Sequence, residues 1–143
     1  MKGLATLGYA GLIPFVTLPL LFVFPLWLSS EQILELYFSY SAMILAFMAG
    51  VLWPVLHNHS QKSAKLATIA VLFPVLSFIA LLPGRDYFLL FQAALFVLLR
   101  QGEFWLGINR LYNAQYNTLR NRLTVVVVVS HVTFNWLVNH ASY

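Results

Sequence analysis

The sequence contains five long apolar stretches joined by short polar links, and this pattern limits the folds open to the chain. The stretches cover residues 5–28, 33–56, 66–82, 87–105 and 123–140 of 143. A helix needs about 17 to 25 predominantly apolar residues to cross a bilayer. Only 8% of the residues are charged, against about 25% in ordinary soluble domains. We therefore predict an all-α membrane protein, one domain over residues 1–143 with five transmembrane helices.

The first stretch contains three prolines but is expected to remain in the protein as a helix. A cleaved signal peptide has an apolar core of about 7 to 15 residues followed by small residues, whereas this stretch is longer and ends in Trp27 and Leu28. Pro14, Pro19 and Pro25 predict kinks. Membrane helices tolerate proline because neighbouring groups can satisfy the carbonyls that it leaves without a donor.

Small residues recur along one side of the second stretch. They are Ser39, Ala42, Ala46, Ala49 and Gly50. A face with so little side-chain bulk lets another helix approach closely. We expect this seam to pack against a helix of the same chain, with a dimer contact as the alternative. The polar link before the stretch, residues 29–32, contains serines and an acid, which suits a helix start.

The segment between the fourth and fifth stretches, residues 107–122, is rich in asparagine, arginine and tyrosine. Its apolar and polar positions separate on a helical wheel, which is typical of an amphipathic helix lying in the membrane interface. An extension of the fourth helix and an irregular loop are the alternatives. Just before it, Arg100 and Glu103 have the i,i+3 spacing of a side-chain pair, and we expect both near the lipid headgroups.

The basic residues lie mostly at one end of the predicted helices. If the amino terminus is cytoplasmic, only Arg85 falls outside, and the inner side carries Lys2, Lys62, Lys65, Arg100, Arg110, Arg120 and Arg122. Cytoplasmic segments of membrane proteins keep such an excess, so we predict a cytoplasmic amino terminus and a periplasmic carboxyl terminus. We expect Lys62, Lys65, Arg110, Arg120 and Arg122 to meet anionic headgroups. The net charge of +4 then requires no nucleic-acid partner.

The amino terminus lacks the arginine-rich, amphipathic character of a mitochondrial transit peptide, which favours a bacterial inner membrane. The sequence also has no cysteine, which excludes disulfides, thiolate catalysis and cysteine-ligated metal centres. Its acids are Glu31, Glu35, Asp86 and Glu103; by the topology above, three lie opposite the fourth. No catalytic triad, carboxylate pair or glycine-rich phosphate loop is present. We expect no enzymatic activity, metal or cofactor.

The most unusual residue is His131, in the middle of the valine-rich fifth stretch. An ionisable group at such a depth is a functional hypothesis by default. A polar stripe along the predicted helix comprises Thr124, His131, Asn135 and Asn139. One interpretation is structural, with an interhelical hydrogen bond from His131 to a backbone carbonyl, to Ser77 or to Gln92. The others are a proton or ion pathway through an oligomer and ligation of a cofactor.

Haem ligation is the cofactor hypothesis that the sequence can test. A haem between helices typically takes two axial side chains, and these must face each other at similar depth. His57 and His59 lie at the inner end of the second stretch and His140 at the outer end of the fifth, so none is level with His131. Without a nearby carboxylate, His57 and His59 also make a weak metal site. We expect them to be solvated or in contact with headgroups.

Several short motifs resemble those of a known membrane-protein family. They are residues 7–15, 40–53, 74–77 and 116–124. They look like the signature segments of the domain of unknown function 3429 family, which has bacterial members and mitochondrial relatives. In that family a histidine usually precedes the tryptophan of the second stretch, whereas Leu52 precedes Trp53 here and Pro54 replaces a small residue. The resemblance implies a five-helix membrane protein and no established activity.

Two classes of function remain open from the sequence. The first is a non-catalytic accessory or assembly subunit that packs laterally onto a larger inner-membrane complex, for example a respiratory one. The second is a small homo-oligomeric transporter or proton pathway built around the polar stripe of the last helix. Lipid binding or membrane shaping through residues 110–122 is a third hypothesis.

Overall fold

The structure is a computed structural model that describes residues 2–24, 26–50, 63–81, 87–110 and 112–140. Its helices are α1 (Lys2–Ala10), α2 (Ile13–Val23), α3 (Ser30–Gly50), α4 (Ser63–Ala80), α5 (Phe88–Trp105) and α6 (Ala114–His140), with a 3₁₀ turn at Ile108–Arg110. No strand occurs in these ranges. The prediction of an all-helical protein is confirmed.

Four helical segments in the described ranges are long and apolar enough to cross a bilayer. They are Ala5–Val23, Ser30–Gly50, Phe88–Trp105 and Ala114–His140. The apolar part of α4 is shorter, Ala67–Ala80. Predictions that concern Pro25, His57, His59, Lys62 and the turn at residues 82–86 lie outside the described residues.

The start of α3 is fixed by Ser29 and Gln32. The Gln32 backbone N–H donates to the Ser29 hydroxyl (3.2 Å), and the Ser29 N–H donates to Gln32 Oε1 (3.0 Å). This reciprocal pair is a capping box, which satisfies two backbone donors near the start of a helix. The helix start predicted within residues 29–32 is therefore confirmed.

The first apolar stretch is kinked, as its prolines predict. Residues 11–12 separate α1 from α2, and Pro14 lies in the first turn of α2. Proline is tolerated there because the first backbone N–H groups of a helix have no partner within the helix. The carbonyl of Gly11 at the break accepts a hydrogen bond from the Tyr40 hydroxyl of α3 (2.7 Å). A side chain from the neighbouring helix thus stabilises the kink.

Pro19 creates a second gap in the backbone hydrogen bonding of α2. A proline at this position has no N–H to give to the carbonyl of Phe15, four residues earlier. Ser130 of α6 donates to that carbonyl instead (2.6 Å), and the Tyr37 hydroxyl lies 2.7 Å from Ser130 Oγ. Since a carbonyl can only accept, Ser130 donates to Phe15 and Tyr37 donates to Ser130. Three helices therefore meet at the carbonyl that proline leaves free.

Ser130→Ala should lower the free energy of unfolding by about 1 to 3 kcal/mol, because it removes the partner of an internal carbonyl and of a buried hydroxyl. The same substitution should cost less in a Pro19→Ala background, where residue 19 regains an N–H for Phe15. Denaturation in detergent micelles measures both effects, and Thr133→Ala, an exposed hydroxyl on the same helix, is the control. Equal losses in the two backgrounds would argue against this role for Ser130.

The helices form a ring with α4 on its outside. In this ring α2 contacts α3 and α6, and α5 also contacts α3 and α6; α4 packs against α3 and α5, and α1 lies along α6. Aromatic side chains fill the centre of the ring. They include Phe15, Tyr37, Phe96 and Phe134, each at most 1% exposed. The core therefore lies where α2, α3, α5 and α6 converge.

Side-chain contacts give the direction in which each helix runs. α2 and the segment before it run parallel to α6, as two pairs show: Tyr9 with Arg122 and Phe22 with Phe134. α3 and α5 are also parallel, as shown by Phe38 with Phe88 and Ser41 with Gln92. Because α3 and α5 run in the same direction, the chain between them must return along the bundle, and α4 lies on that return path.

The small-residue seam predicted on α3 lies at the margin of its core face. Ala49 is buried, Ala42, Ala46 and Gly50 are half-buried, and Ser39 is exposed. A Cβ added to Gly50 would meet no atom of the described residues within 4 Å. The core face of α3 presents larger side chains such as Tyr37 and Leu45, because the centre of the ring has to be filled.

The predicted interfacial helix is not confirmed, because the described residues of 107–122 do not form a separate α-helix. After α5, Gly107 adopts a φ of 74°, a left-handed conformation that favours glycine at a helix end. Asn113 then caps α6, its Oδ1 accepting the Tyr116 N–H (2.7 Å), and residues 114–122 are the first turns of that helix. At 27 residues, α6 is about 40 Å long. It exceeds a bilayer core of about 30 Å, so its polar first turns can reach the headgroups.

Candidate functional site

His131 lies at the centre of the helix ring and is 0% exposed. Three aromatic rings from three other helices surround it. Their centroids lie 5.5 Å (Phe15 of α2), 5.0 Å (Tyr37 of α3) and 5.5 Å (Phe96 of α5) from that of the imidazole. The only ionisable group of the polar stripe is therefore enclosed by apolar surface.

Each nitrogen of His131 has a hydrogen-bond partner within the bundle. Nδ1 lies 2.7 Å from the Val127 carbonyl, and Nε2 lies 2.6 Å from Ser41 Oγ. A carbonyl can only accept, so Nδ1 carries the proton; the neutral ring then accepts the Ser41 proton at Nε2. Gln92 of α5 donates to the same serine oxygen (3.2 Å). The sequence predicted an interhelical bond to a backbone carbonyl, to Ser77 or to Gln92. The carbonyl found belongs instead to Val127 of the same helix, and Gln92 reaches His131 through Ser41.

Other residues predicted around His131 are not brought to this centre. Thr124 is buried, Asn135 is half-buried and Asn139 is exposed. Each step of four residues advances 40° beyond a full helical turn, so from His131 onward the stripe rotates from the core toward the surface. Ser77 of α4 is buried, and its hydroxyl has no hydrogen-bond partner among the described residues, as is also true of Thr124.

The 2.6 Å between Ser41 Oγ and His131 Nε2 is also the distance expected between a catalytic nucleophile and its base. Both residues are 0% exposed. The partner of Nδ1 is a backbone carbonyl rather than the carboxylate that orients such a base in a catalytic triad. The arrangement suits a hydrogen bond that joins α3, α5 and α6.

A second polar centre lies between α5 and α6, where one carboxylate joins two guanidinium groups. Glu103 is 1% exposed, Arg100 6% and Arg120 2%. Arg100 NH1 donates to Glu103 Oε2 (2.5 Å), and Arg120 pairs with the other carboxylate oxygen. Two cations and one anion give this ion cluster, Arg100, Glu103 and Arg120, a net charge of +1.

Asparagines in the first turns of α6 hold the outer side of the ion cluster. Arg100 Nε donates to Asn121 Oδ1 (2.8 Å) and its NH2 to Asn117 Oδ1 (3.1 Å), while its guanidinium lies 4.4 Å from the Phe104 ring centroid. Asn117 in turn donates to the carbonyl of Asn109 (2.6 Å). The same side chains therefore fix Arg100 and close the connection between α5 and α6.

Tyr112 lies near the ion cluster but does not offset its charge. Burial raises the pKa of Tyr112 to about 12; the neighbouring Tyr116 adds to this increase and Arg100 opposes it. The phenol is therefore protonated and neutral at physiological pH. The excess positive charge of the cluster remains.

The structure changes the predicted surroundings of Arg100 and Arg120. The predicted pairing of Arg100 with Glu103 is confirmed. Both residues are buried, however, and so is Arg120, which the sequence placed at the headgroups. Arg120 turns toward α5 because Glu103 offers it a carboxylate. Arg110 and Arg122 are exposed, and Lys62 and the Lys65 side chain lie outside the described part.

Metal binding has no candidate site in the described part of the chain. In residues 2–24, 26–50, 63–81, 87–110 and 112–140, no three histidine, aspartate or glutamate side chains come together so as to hold a metal ion. His131 bonds to Ser41 and Val127, and Glu103 bonds to two arginines. The titratable side chains of His131 and Glu103 are therefore engaged with other groups of the chain.

The fold and its two enclosed polar centres define an all-helical protein built from helices that suit a bilayer. The chain matches the family model described as "Protein of unknown function (DUF3429)" over residues 2–135, and it belongs to this family. The resemblance seen in the sequence motifs is confirmed. Comparison with curated proteins and with solved structures gave no match to the chain.

Proposed function

We propose that the protein is a non-catalytic accessory or assembly subunit of the bacterial inner membrane that packs laterally onto a larger membrane complex. One observation carries the proposal: the polar groups of the helix interior bond mainly to one another, while large apolar side chains face outward. The exposed aromatic residues include Trp27, Phe47, Phe78, Tyr87 and Trp105. Such a surface fits lipid and protein contacts in the plane of the membrane.

The proposed topology has five crossings, with a cytoplasmic amino terminus and a periplasmic carboxyl terminus. The parallel directions of α3 and α5 support it, because they require the chain to return between these helices. The 18 residues of α4 span about 27 Å, close to the roughly 30 Å of a bilayer core. Arginines gather at the end of the bundle where α5 ends and α6 begins, which we assign to the cytoplasmic side.

Extraction in a gentle detergent tests the proposed role. A tagged chain should migrate in native electrophoresis with a partner much larger than its own 16.3 kDa. Photo-crosslinking residues placed at Phe47, Phe78 and Val129, which face outward from three helices, should form protein adducts on one side of the bundle. Recovery only as a monomer, without adducts at any of these positions, would count against a docked subunit.

The alternative function, a homo-oligomeric proton or ion pathway, has the chain of Gln92, Ser41 and His131 in its favour. The three aromatic rings around His131 favour the accessory role, because a pathway needs water or polar groups on both sides of the histidine. In liposomes with a pH-sensitive dye, we expect the protein to give no proton flux above that of empty liposomes. A flux that His131→Ala abolishes would favour the pathway.

A further inference from the structure

Two grooves follow one another along the contact between the amino-terminal helices and α6. The first has a volume of about 430 Å³, and its lining includes Tyr9, Leu119 and Arg122. The second has a volume of about 280 Å³, and its lining includes Val16, Val126 and Thr133. Because α2 runs parallel to α6, both grooves follow the same helix contact.

One continuous face of α6 lines both grooves. Its lining residues are Gln115, Thr118, Arg122, Val126, Val129 and Thr133. They are spaced by three or four positions, so their side chains lie on the same side of the helix. The face is polar at the first groove and mainly apolar at the second.

Charge distinguishes the first groove. Arg122 is the only charged residue in its described lining; it is exposed, and its NH1 donates to the Tyr9 hydroxyl (3.2 Å). A guanidinium carries five N–H donors in a planar fork that matches a phosphate group. The ion cluster of Arg100, Glu103 and Arg120, with its net charge of +1, lies between α5 and α6 at the same end of the bundle and adds to the positive charge there. The groove is therefore complementary to an anion.

The distance between the two grooves along α6 favours a lipid over a soluble anion as the ligand. With a rise of 1.5 Å per residue, Val126 lies about 6 Å and Thr133 about 17 Å along the helix from Arg122. Half of a bilayer core is about 15 Å thick. A phosphate held at Arg122 would thus place an acyl chain alongside the second groove, whereas a soluble anion would leave that groove without an occupant.

We infer that one anionic phospholipid binds between α1, α2 and α6, with its phosphate at Arg122 and Tyr9 and an acyl chain between Val16 and Val126. This site does not depend on the proposed accessory role, because an isolated monomer would form it. Thr133 and Ser130 lie toward the far end of the acyl groove. The Ser130 hydroxyl already donates to Phe15, so this end adds little polarity.

Native mass spectrometry of the full chain, titrated with phosphatidylglycerol in detergent, tests the inference. We expect one tightly retained lipid, with phosphatidylcholine retained more weakly. Arg122→Gln should weaken the retention about ten-fold, since it removes a charge-assisted phosphate contact. Arg110→Gln is the matched control, because Arg110 is also exposed, near the same end of α6 but outside the groove. Val129→Trp should weaken retention by filling the acyl groove.

Three results would overturn the inference. Equal losses for Arg122→Gln and Arg110→Gln would indicate general attraction to a basic surface. Displacement of the lipid by an equimolar amount of inorganic phosphate would indicate a site for a soluble anion. Unchanged retention in Val129→Trp would show that no acyl chain occupies the second groove.

Discussion

Glu103→Gln should be the most damaging single substitution in the described part of the chain, lowering the free energy of unfolding by about 3 to 5 kcal/mol. Glu103 is 1% exposed and is the carboxylate between Arg100 and Arg120. A neutral amide would leave two cations buried without a counter-charge. Since whole proteins are stable by only about 5 to 15 kcal/mol, a loss of this size should also reduce the yield of folded protein.

Denaturant titration in detergent micelles, followed by circular dichroism, measures the loss. Glu35→Gln is the matched control, because Glu35 is an exposed acid, and its substitution should change the free energy of unfolding by about 0.5 kcal/mol or less. The double variant Glu103→Gln with Arg120→Met should recover part of the loss. Its remaining cation, Arg100, keeps Asn117 and Asn121 as partners.

These variants test whether unpaired buried charge causes the loss of stability. If Glu103→Gln were as mild as Glu35→Gln, the buried ion cluster would not contribute to the stability of the α5–α6 contact. If the double variant were much less stable than Glu103→Gln alone, the loss would stem from the packing of the long side chains and not from unpaired charge.

His131→Ala should lower the free energy of unfolding by about 2 to 5 kcal/mol, the range for removing a large buried side chain. The substitution leaves a cavity among Phe15, Tyr37 and Phe96. It also removes the acceptor of the Ser41 proton in a centre that water does not reach, and an unsatisfied buried polar group costs about 1 to 3 kcal/mol.

The chain provides a control of the same residue type on the same helix. His140 is exposed near the end of α6, so His140→Ala should change the free energy of unfolding by about 0.5 kcal/mol or less. The comparison uses the same denaturant titration. A His131→Ala variant as stable as His140→Ala would contradict the structural role of His131.

The sequence predicted the helices well because the bilayer requires long apolar runs and because helix boundaries depend on local chemistry. Ser29 and Gln32 form their capping box within four residues, and Pro14 lies next to the break between α1 and α2. These features need no knowledge of the rest of the fold. The family motifs are likewise continuous in sequence.

The polar centres depend on contacts between distant parts of the chain, which local patterns do not specify. Ser41 and His131 are 90 residues apart in sequence, and a serine in an apolar stretch gives no signal of its partner. Arg120 could be assigned to Glu103 only once the turn held by Asn109 and Asn117 was known. A helical wheel also cannot distinguish a separate interfacial helix from the polar first turns of α6, since both have the same periodicity.

Cysteine accessibility tests most directly whether α6 crosses a bilayer with its valine-rich face in lipid. The sequence has no cysteine, so a single introduced thiol gives an unambiguous signal with a membrane-impermeant maleimide. In intact cells permeable only at the outer membrane, Asn139→Cys should react, Arg110→Cys should react only after the inner membrane is opened, and Val129→Cys should react only after the membrane is dissolved. Reaction of Val129→Cys as fast as Asn139→Cys would contradict the membrane-spanning arrangement.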